Sequence, residues 1–167
     1  MADQTQADRA AQIVDEWRVE RPDIDPTPIL VVGRLHRVAI ALTSELVSVY
    51  AEFGLGEGEF DLLATLRRQG GEFALTPSQL RDRTMVTSGA VTKRVDRLET
   101  RGYVERRPSG TDGRSLLVAL TPAGKALIDE AFTAHMANEA RLVAALSPTE
   151  RVDLERGLRV LASSLGV

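Results

Sequence analysis

The stretch from Thr76 to Thr121 leaves this chain few folds. It opens with Thr76-Pro77-Ser78-Gln79: a capping residue, a proline at the first helical position, and a glutamine spaced to close a capping box. The helix it starts is short, ending near Arg83. Thr84 to Thr87 turn the chain, and Thr87 or Ser88 caps a second helix that ends at Gly102, a residue free to take the left-handed conformation of a helix end. Tyr103 to Arg107 and Ser115 to Leu120 read as strands, and Pro108 to Gly113 between them is turn chemistry. The predicted order is short helix, turn, helix, hairpin.

Helices flank this unit on both sides. Residues 7–20 carry an apolar stripe of Ala7, Ala10, Ala11, Ile13, Val14 and Trp17. Arg21 to Pro26 break it, and Thr27-Pro28 starts a helix predicted to reach Phe53. That helix is apolar around much of its circumference (Ile29, Val32, Leu35, Val38, Ile40, Leu42, Leu46, Val49), so both sides are expected to meet protein. Gly54-Leu55-Gly56-Glu57-Gly58 is a turn; without a preceding strand it is not a dinucleotide loop. A helix from Glu59 to Arg68 follows. Beyond the hairpin, Thr121-Pro122 opens a helix to about Ala145. Ser147-Pro148-Thr149-Glu150 is a second capping box, before a stripe of Leu154, Leu158 and Leu161.

The expected fold class is mainly α with a small β wing. Its segments are N-terminal helices over 1–53, a winged helix-turn-helix over 54–121 and C-terminal helices over 122–167. The terminal helices carry more apolar surface than so small a body can bury, so a homodimer built from both chain ends is expected.

Composition narrows the function. Hydrophobic residues make up 43% and charged residues 27% of the 167, which supports a folded core. The absence of cysteine excludes disulfides, thiol-based peroxide sensing and cysteine-ligated metals. His36 and His135 are the only histidines, and no Ser/His/Asp cluster or carboxylate pair at helical spacing stands out. No enzyme activity, metal or cofactor is expected. No run approaches about 18 uncharged apolar residues, and the N-terminal residues lack the basic and apolar regions of a signal peptide. A soluble cytoplasmic protein with no membrane partner is the expectation.

The net charge is -3, but it is unevenly spread. From Arg81 to Arg114 there are nine Arg/Lys against five Asp/Glu, whereas residues 1–30 hold seven acids and three bases. A basic segment on an acidic body can bind phosphates with one face while the rest repels them. On the helix from Ser88 to Arg101, Val91, Val95 and Leu98 form the stripe that faces the core. Lys93 and Asp96 fall opposite, Arg97 beside them, and Thr87, Ser88 and Thr92 near the N-terminal end. Hydroxyls and a helix N-terminus hold phosphates, and long cations reach guanine edges. At the hairpin tip Arg114 suits the narrow minor groove, with Asp112 to hold it or stiffen the loop. Double-stranded DNA is thus the expected partner. Thr87, Ser88, Thr92, Lys93, Arg97, Asp112 and Arg114 are the candidate contacts.

Over Pro28 to Leu165 the chain resembles the MarR family of bacterial transcription regulators. The residues that carry this are LTPSQLRDRTMVTSGAVTKRVDRLETRGYVERRPSGTDGRSLLVALTPAGKAL. Within them stand the Val91–Leu98 pattern, the Leu98-Glu99-x-x-Gly102 exit, the Asp112-x-Arg114 wing and the Leu120-Thr121-x-x-Gly124 restart. The resemblance implies a dimer on a pseudo-palindromic operator, usually a repressor relieved by a small anionic or phenolic effector. The chain is also similar to the subgroup that carries an extra N-terminal helix and responds to urate or organic acids. That similarity rests on Trp17, Asp61, Arg94 and Arg106, and it implies that these four bind the effector and couple it to DNA.

The residues permit such a role. Arg94 lies about 60° from the Val91–Val95–Leu98 stripe, aimed back at the protein. Asp61, between Phe60 and Leu62, needs a partner, which Arg94 or Arg106 could supply. Plainer roles stay open: a helix N-terminal charge for Asp61, a packing anchor for Trp17, a phosphate contact for Arg106. The alternative function is a constitutive winged-helix DNA-binding protein without an effector.

Overall fold

The computed structural model describes residues 8–84, 91–109 and 116–167. Their elements are α1 (Arg9–Glu20), α2 (Pro28–Glu52), α3 (Glu57–Arg68), β1 (Ala74–Leu75), α4 (Pro77–Arg83), α5 (Val91–Thr100), β2 (Val104–Pro108), β3 (Leu116–Leu120), α6 (Pro122–Leu142) and α7 (Pro148–Leu165). The chain divides into two compact units, 1–45 and 46–167.

In the first unit, the Asp8 carboxylate caps α1 by accepting from the N–H groups of Ala10 (3.2 Å) and Ala11 (3.4 Å), and it pairs with Arg34 of α2. That pairing, first among several causes, holds the Asp8 carboxyl below the usual range. Ala10 and Val14 are buried. Gly33 of α2 lies beside Ala10 of α1, and a Cβ there would make ordinary contact, 4.0 Å from the Ala10 methyl. Asp25 organises the start of α2 by accepting from the Thr27 N–H (3.0 Å) and hydroxyl (2.8 Å). Val31, Val32, Leu35, Val38, Ile40 and Leu42 are exposed on this helix. The protein contact expected on both of its sides is therefore not supplied within the first unit.

The second unit is built on α3. Leu62, Leu63 and Leu66 are fully buried there, packed in one cluster with Leu80 of α4, Val95 and Leu98 of α5, Val104, Val118 and Ile128. The three strands form an antiparallel sheet in the order β1-β3-β2, with Arg106 opposite Val118 and Leu75 also opposite Val118. The two-residue β1 was not anticipated, since its Ala74-Leu75 core is too short to show a period. Phe73 before it takes a left-handed φ of 51°. Its ring lies under two cations, Arg67 at 5.0 Å and Lys125 at 5.9 Å, which share Asp129.

Helix ends follow the predicted caps. Thr76, Thr121 and Ser147 each accept a backbone N–H, with full capping boxes at Thr76–Gln79 and Ser147–Glu150. Gly102, at φ 75°, ends α5 while the Tyr103 N–H reaches back to the Leu98 carbonyl at 2.9 Å. Gly124 matters for space, because a Cβ there would run into the Tyr103 carbonyl. Two boundaries differ from expectation. α6 stops at Leu142, where the chain turns before the Ser147 cap, and α3 begins at Glu57, taking in Gly58. No residue of α7 is buried. Among the described residues, no single helix is long and apolar enough to cross a membrane.

A buried polar group joins α2, α3 and α6. Tyr50 stacks on Phe60 at 4.1 Å, and its hydroxyl lies 3.3 Å from Nδ1 of His135, whose Nε2 is 3.2 Å from Glu139. Burial, then the charges of Glu139, Glu57 and Asp61, push the Tyr50 phenol up to about 12. Its ordinary value is 10.0. The folded state thus favours the neutral phenol, and the stability this lends is present below pH 10 and lost as pH rises towards 12. Ultraviolet titration should show one tyrosine ionising near 12, and Tyr50→Phe should flatten the alkaline decline in denaturation midpoint. A midpoint that falls equally in the variant would exclude this phenol as the cause.

Candidate nucleic-acid interface

α4 and α5 are the two helices of a helix-turn-helix, and β2 and β3 make the wing strands. Val91, Val95 and Leu98 are buried, as their spacing requires. Thr92, Lys93, Asp96 and Arg97 are exposed on the outward side of α5. Thr87, Ser88, Asp112 and Arg114 lie outside the described residues.

α5 is fastened along two flanks. On one, Arg94, Arg97 and Arg101 meet the start of α3. A Cβ at Gly58 would collide with the Arg94 guanidinium, so this glycine makes the space the arginine fills. Among the described residues the buried Arg94 Nη1 has no hydrogen-bond partner. Arg97 Nε donates to Glu59 Oε1 at 3.0 Å, and Arg101 Nη1 lies 3.6 Å from Glu59 Oε2. Arg101 also donates to the Gly54 carbonyl at 2.9 Å and covers the Tyr103 ring at 4.9 Å. On the other flank, Arg106 of β2 pairs with Asp96 and Glu99 of α5, and its backbone N–H donates to Glu99 at 3.0 Å. Those carboxylates, Asp96 first, raise the Arg106 pKa further.

Of the four residues linked to an effector, Asp61 and Arg94 are half-buried on α3 and α5, and Arg106 is committed to the wing clamp. Trp17 belongs to the first unit, where it is half-exposed and walls a small pocket with Arg21, Ile24, Pro26, Pro28 and Ile29. The residue that sequence reasoning missed is Glu59, only 9% exposed. A signal existed. Gly56-x-x-Glu59 has capping-box spacing, and the Glu59 carboxylate does accept from the Gly56 N–H at 3.1 Å.

A short helix, a second helix with Lys93 and Arg97 exposed on its outward side and a following pair of antiparallel strands define a winged helix-turn-helix protein. A model of the MarR family matches residues 53–115. The transcriptional regulator PecS of Dickeya dadantii is 40% identical over 144 residues, covering 86% of this chain and 87% of that protein. A mutant MarR from E. coli, solved in complex with operator DNA, superposes with a TM-score of 0.68 at 29% identity, covering 80% of this chain and 95% of the other. BpsR of Bordetella bronchiseptica, whose DNA binding is regulated by 6-hydroxynicotinic acid, gives 0.67 at 27% identity over 78% and 92% of the two chains. The chain belongs to the MarR family of DNA-binding transcriptional regulators.

Arg106→Lys tests the wing clamp. A single ammonium cannot fork onto both Asp96 and Glu99. Hydrogen exchange in β2 and β3 should quicken while global stability falls by no more than about 1 kcal/mol. Unchanged hairpin exchange would show that the strands hold without the clamp.

Proposed function

We propose that the protein is a homodimeric repressor that leaves a pseudo-palindromic operator when a small anionic metabolite, a urate-like purine or an organic acid, binds it. DNA would meet Thr92, Lys93 and Arg97 on the outward side of α5, together with Thr87, Ser88, Asp112 and Arg114, which lie outside the described residues. Dimerisation would use the segments 1–53 and 122–167. Its support is apolar surface without cover in both units: Val31, Val32, Leu35 and Val38 of α2, and Leu154, Leu158 and Leu161 of α7.

The observation that carries the effector reading is Arg94. This cation sits on the recognition helix yet is turned into the body, against Gly58, with one nitrogen buried and lacking an acceptor among the described residues. A buried unsatisfied donor is costly, and an anionic oxygen placed there would relieve the cost. Because Arg94 belongs to α5, binding an anion would move the helix that enters the groove. Asp61 and Arg106 are the further candidate ligand residues of the second unit, and Trp17 that of the first, where its ring could stack on a planar ligand. One observation favours a constitutive DNA-binding protein instead: Arg106 already has two carboxylate partners.

Fluorescence anisotropy on the DNA upstream of the gene, repeated with urate, xanthine, citrate, trans-aconitate and salicylate, separates the two. One of these anions should release the DNA, and Arg94→Ala or Asp61→Ala should abolish that release while DNA binding persists. Tight binding indifferent to every anion would favour the constitutive protein.

A further inference from the structure

Glu59 is the only acidic side chain among the buried polar residues described. Its carboxylate is 11% exposed; it accepts from the Gly56 N–H and from Arg97, and Arg101 stands 3.6 Å away as a second cation. Burying a carboxylate costs free energy that such partners offset. Its attachment to the Gly56 backbone, at 3.1 Å, also keeps it from swinging outward with a departing arginine. Arg97, by contrast, is 62% exposed, with its side chain reaching solvent from the outward side of α5.

From this geometry we infer that Glu59 is a positioning residue for base readout: it holds Arg97 by Nε so that the guanidinium enters the groove already oriented. The bond at Nε leaves the two terminal nitrogens, the edge that takes O6 and N7 of a guanine. Pre-ordering a long side chain removes entropy that binding would otherwise cost. The same ion pair lowers the attraction of Arg97 to phosphates, the source of sequence-independent binding. Glu59 therefore raises discrimination in two ways, favouring the right base and weakening attachment elsewhere. This rests on the proposed entry of α5 into the groove.

The test uses the full-length protein, a duplex it selects from a random pool and a scrambled duplex of equal length, each titrated across a salt series. Glu59→Gln keeps an oxygen for the Gly56 N–H but gives up the charge on Arg97. It should tighten binding to scrambled DNA and steepen its log–log salt slope by about one. The ratio of selected to scrambled affinity should drop by roughly 10-fold. Glu59→Asp, which keeps the charge, should restore part of the ratio. In an Arg97→Gln background, Glu59→Gln should change nothing further. A folded Glu59→Gln protein with an unchanged ratio overturns the inference, as does an equal fall in the Arg97→Gln background, which would make Glu59 merely structural. Should Glu59→Gln not fold, Arg97→Gln alone decides: it must lose the ratio while Arg101→Gln keeps it, and any other result overturns the inference. Lys93→Ala is the control for the underlying reading. If it weakens both duplexes and the ratio in Glu59→Gln stands, only the role of Glu59 fails. If neither Lys93→Ala nor Arg97→Gln alters either duplex, the groove entry of α5 itself is wrong.

Discussion

The seat of α5 on α3 is the contact the rest of the second unit depends on. Val95 and Leu98 are buried in one cluster with Leu62, Leu63 and Leu66, so the hydrophobic effect decides that the two helices adhere. Close packing of those side chains restricts the rotation, and ion pairs on both flanks of α5 agree with the setting it takes. Glu59 takes Arg97 and Arg101 on one side of α5, and Arg106 takes Asp96 and Glu99 on the other. A helix held by ions on both flanks and leucines beneath has one rotational setting. Its outward residues, Thr92 and Lys93, then occupy fixed positions.

Fixing that helix also fixes the wing. The Arg106 backbone N–H donates to Glu99, so β2 is aligned from its own main chain as well as from its side chain. The sheet carries the alignment on, through Arg106 opposite Val118 to Leu75 on the far strand. At the other end of β2, the Thr121 N–H and hydroxyl donate to the Tyr103 and Gly102 carbonyls, at 3.1 and 2.7 Å. α6 thus starts from the point where α5 ends. Recognition helix, wing and first C-terminal helix meet where Gly102 and Tyr103 face Thr121 and Gly124, and a side chain larger than hydrogen at Gly124 has no room.

What the sequence made legible was local and periodic. Threonine or serine before proline placed the starts of α4, α6 and α7, Gly102 placed the end of α5, and three apolar residues at helical spacing identified the buried face of α5. Each of those signals is complete within a few residues. The ion pairs were not legible, because their partners lie 38 residues apart for Glu59 and Arg97 and 10 apart for Asp96 and Arg106. Nothing in the local pattern tells an exposed arginine from one that a distant carboxylate holds. Glu59 carried one local signal, its capping-box spacing from Gly56, but that spacing says nothing of the arginines it meets. His135 escaped in the same way, since its neighbour Glu139 is one helical turn away and Tyr50 belongs to another helix.

Residues 56–59 bring the two proposals to one short turn. Gly58 gives space to Arg94, and its neighbour Glu59 holds Arg97. An anion drawn to Arg94 would approach the segment that carries a buried carboxylate, and two negative groups brought close repel strongly where water is scarce. Either Glu59 would release Arg97 or α5 would rotate to separate the charges. Both outcomes alter the same outward face of α5, the first by freeing a cation, the second by moving the helix. Effector response and base discrimination would then share one turn of α3, and a substitution that improves either would disturb the other.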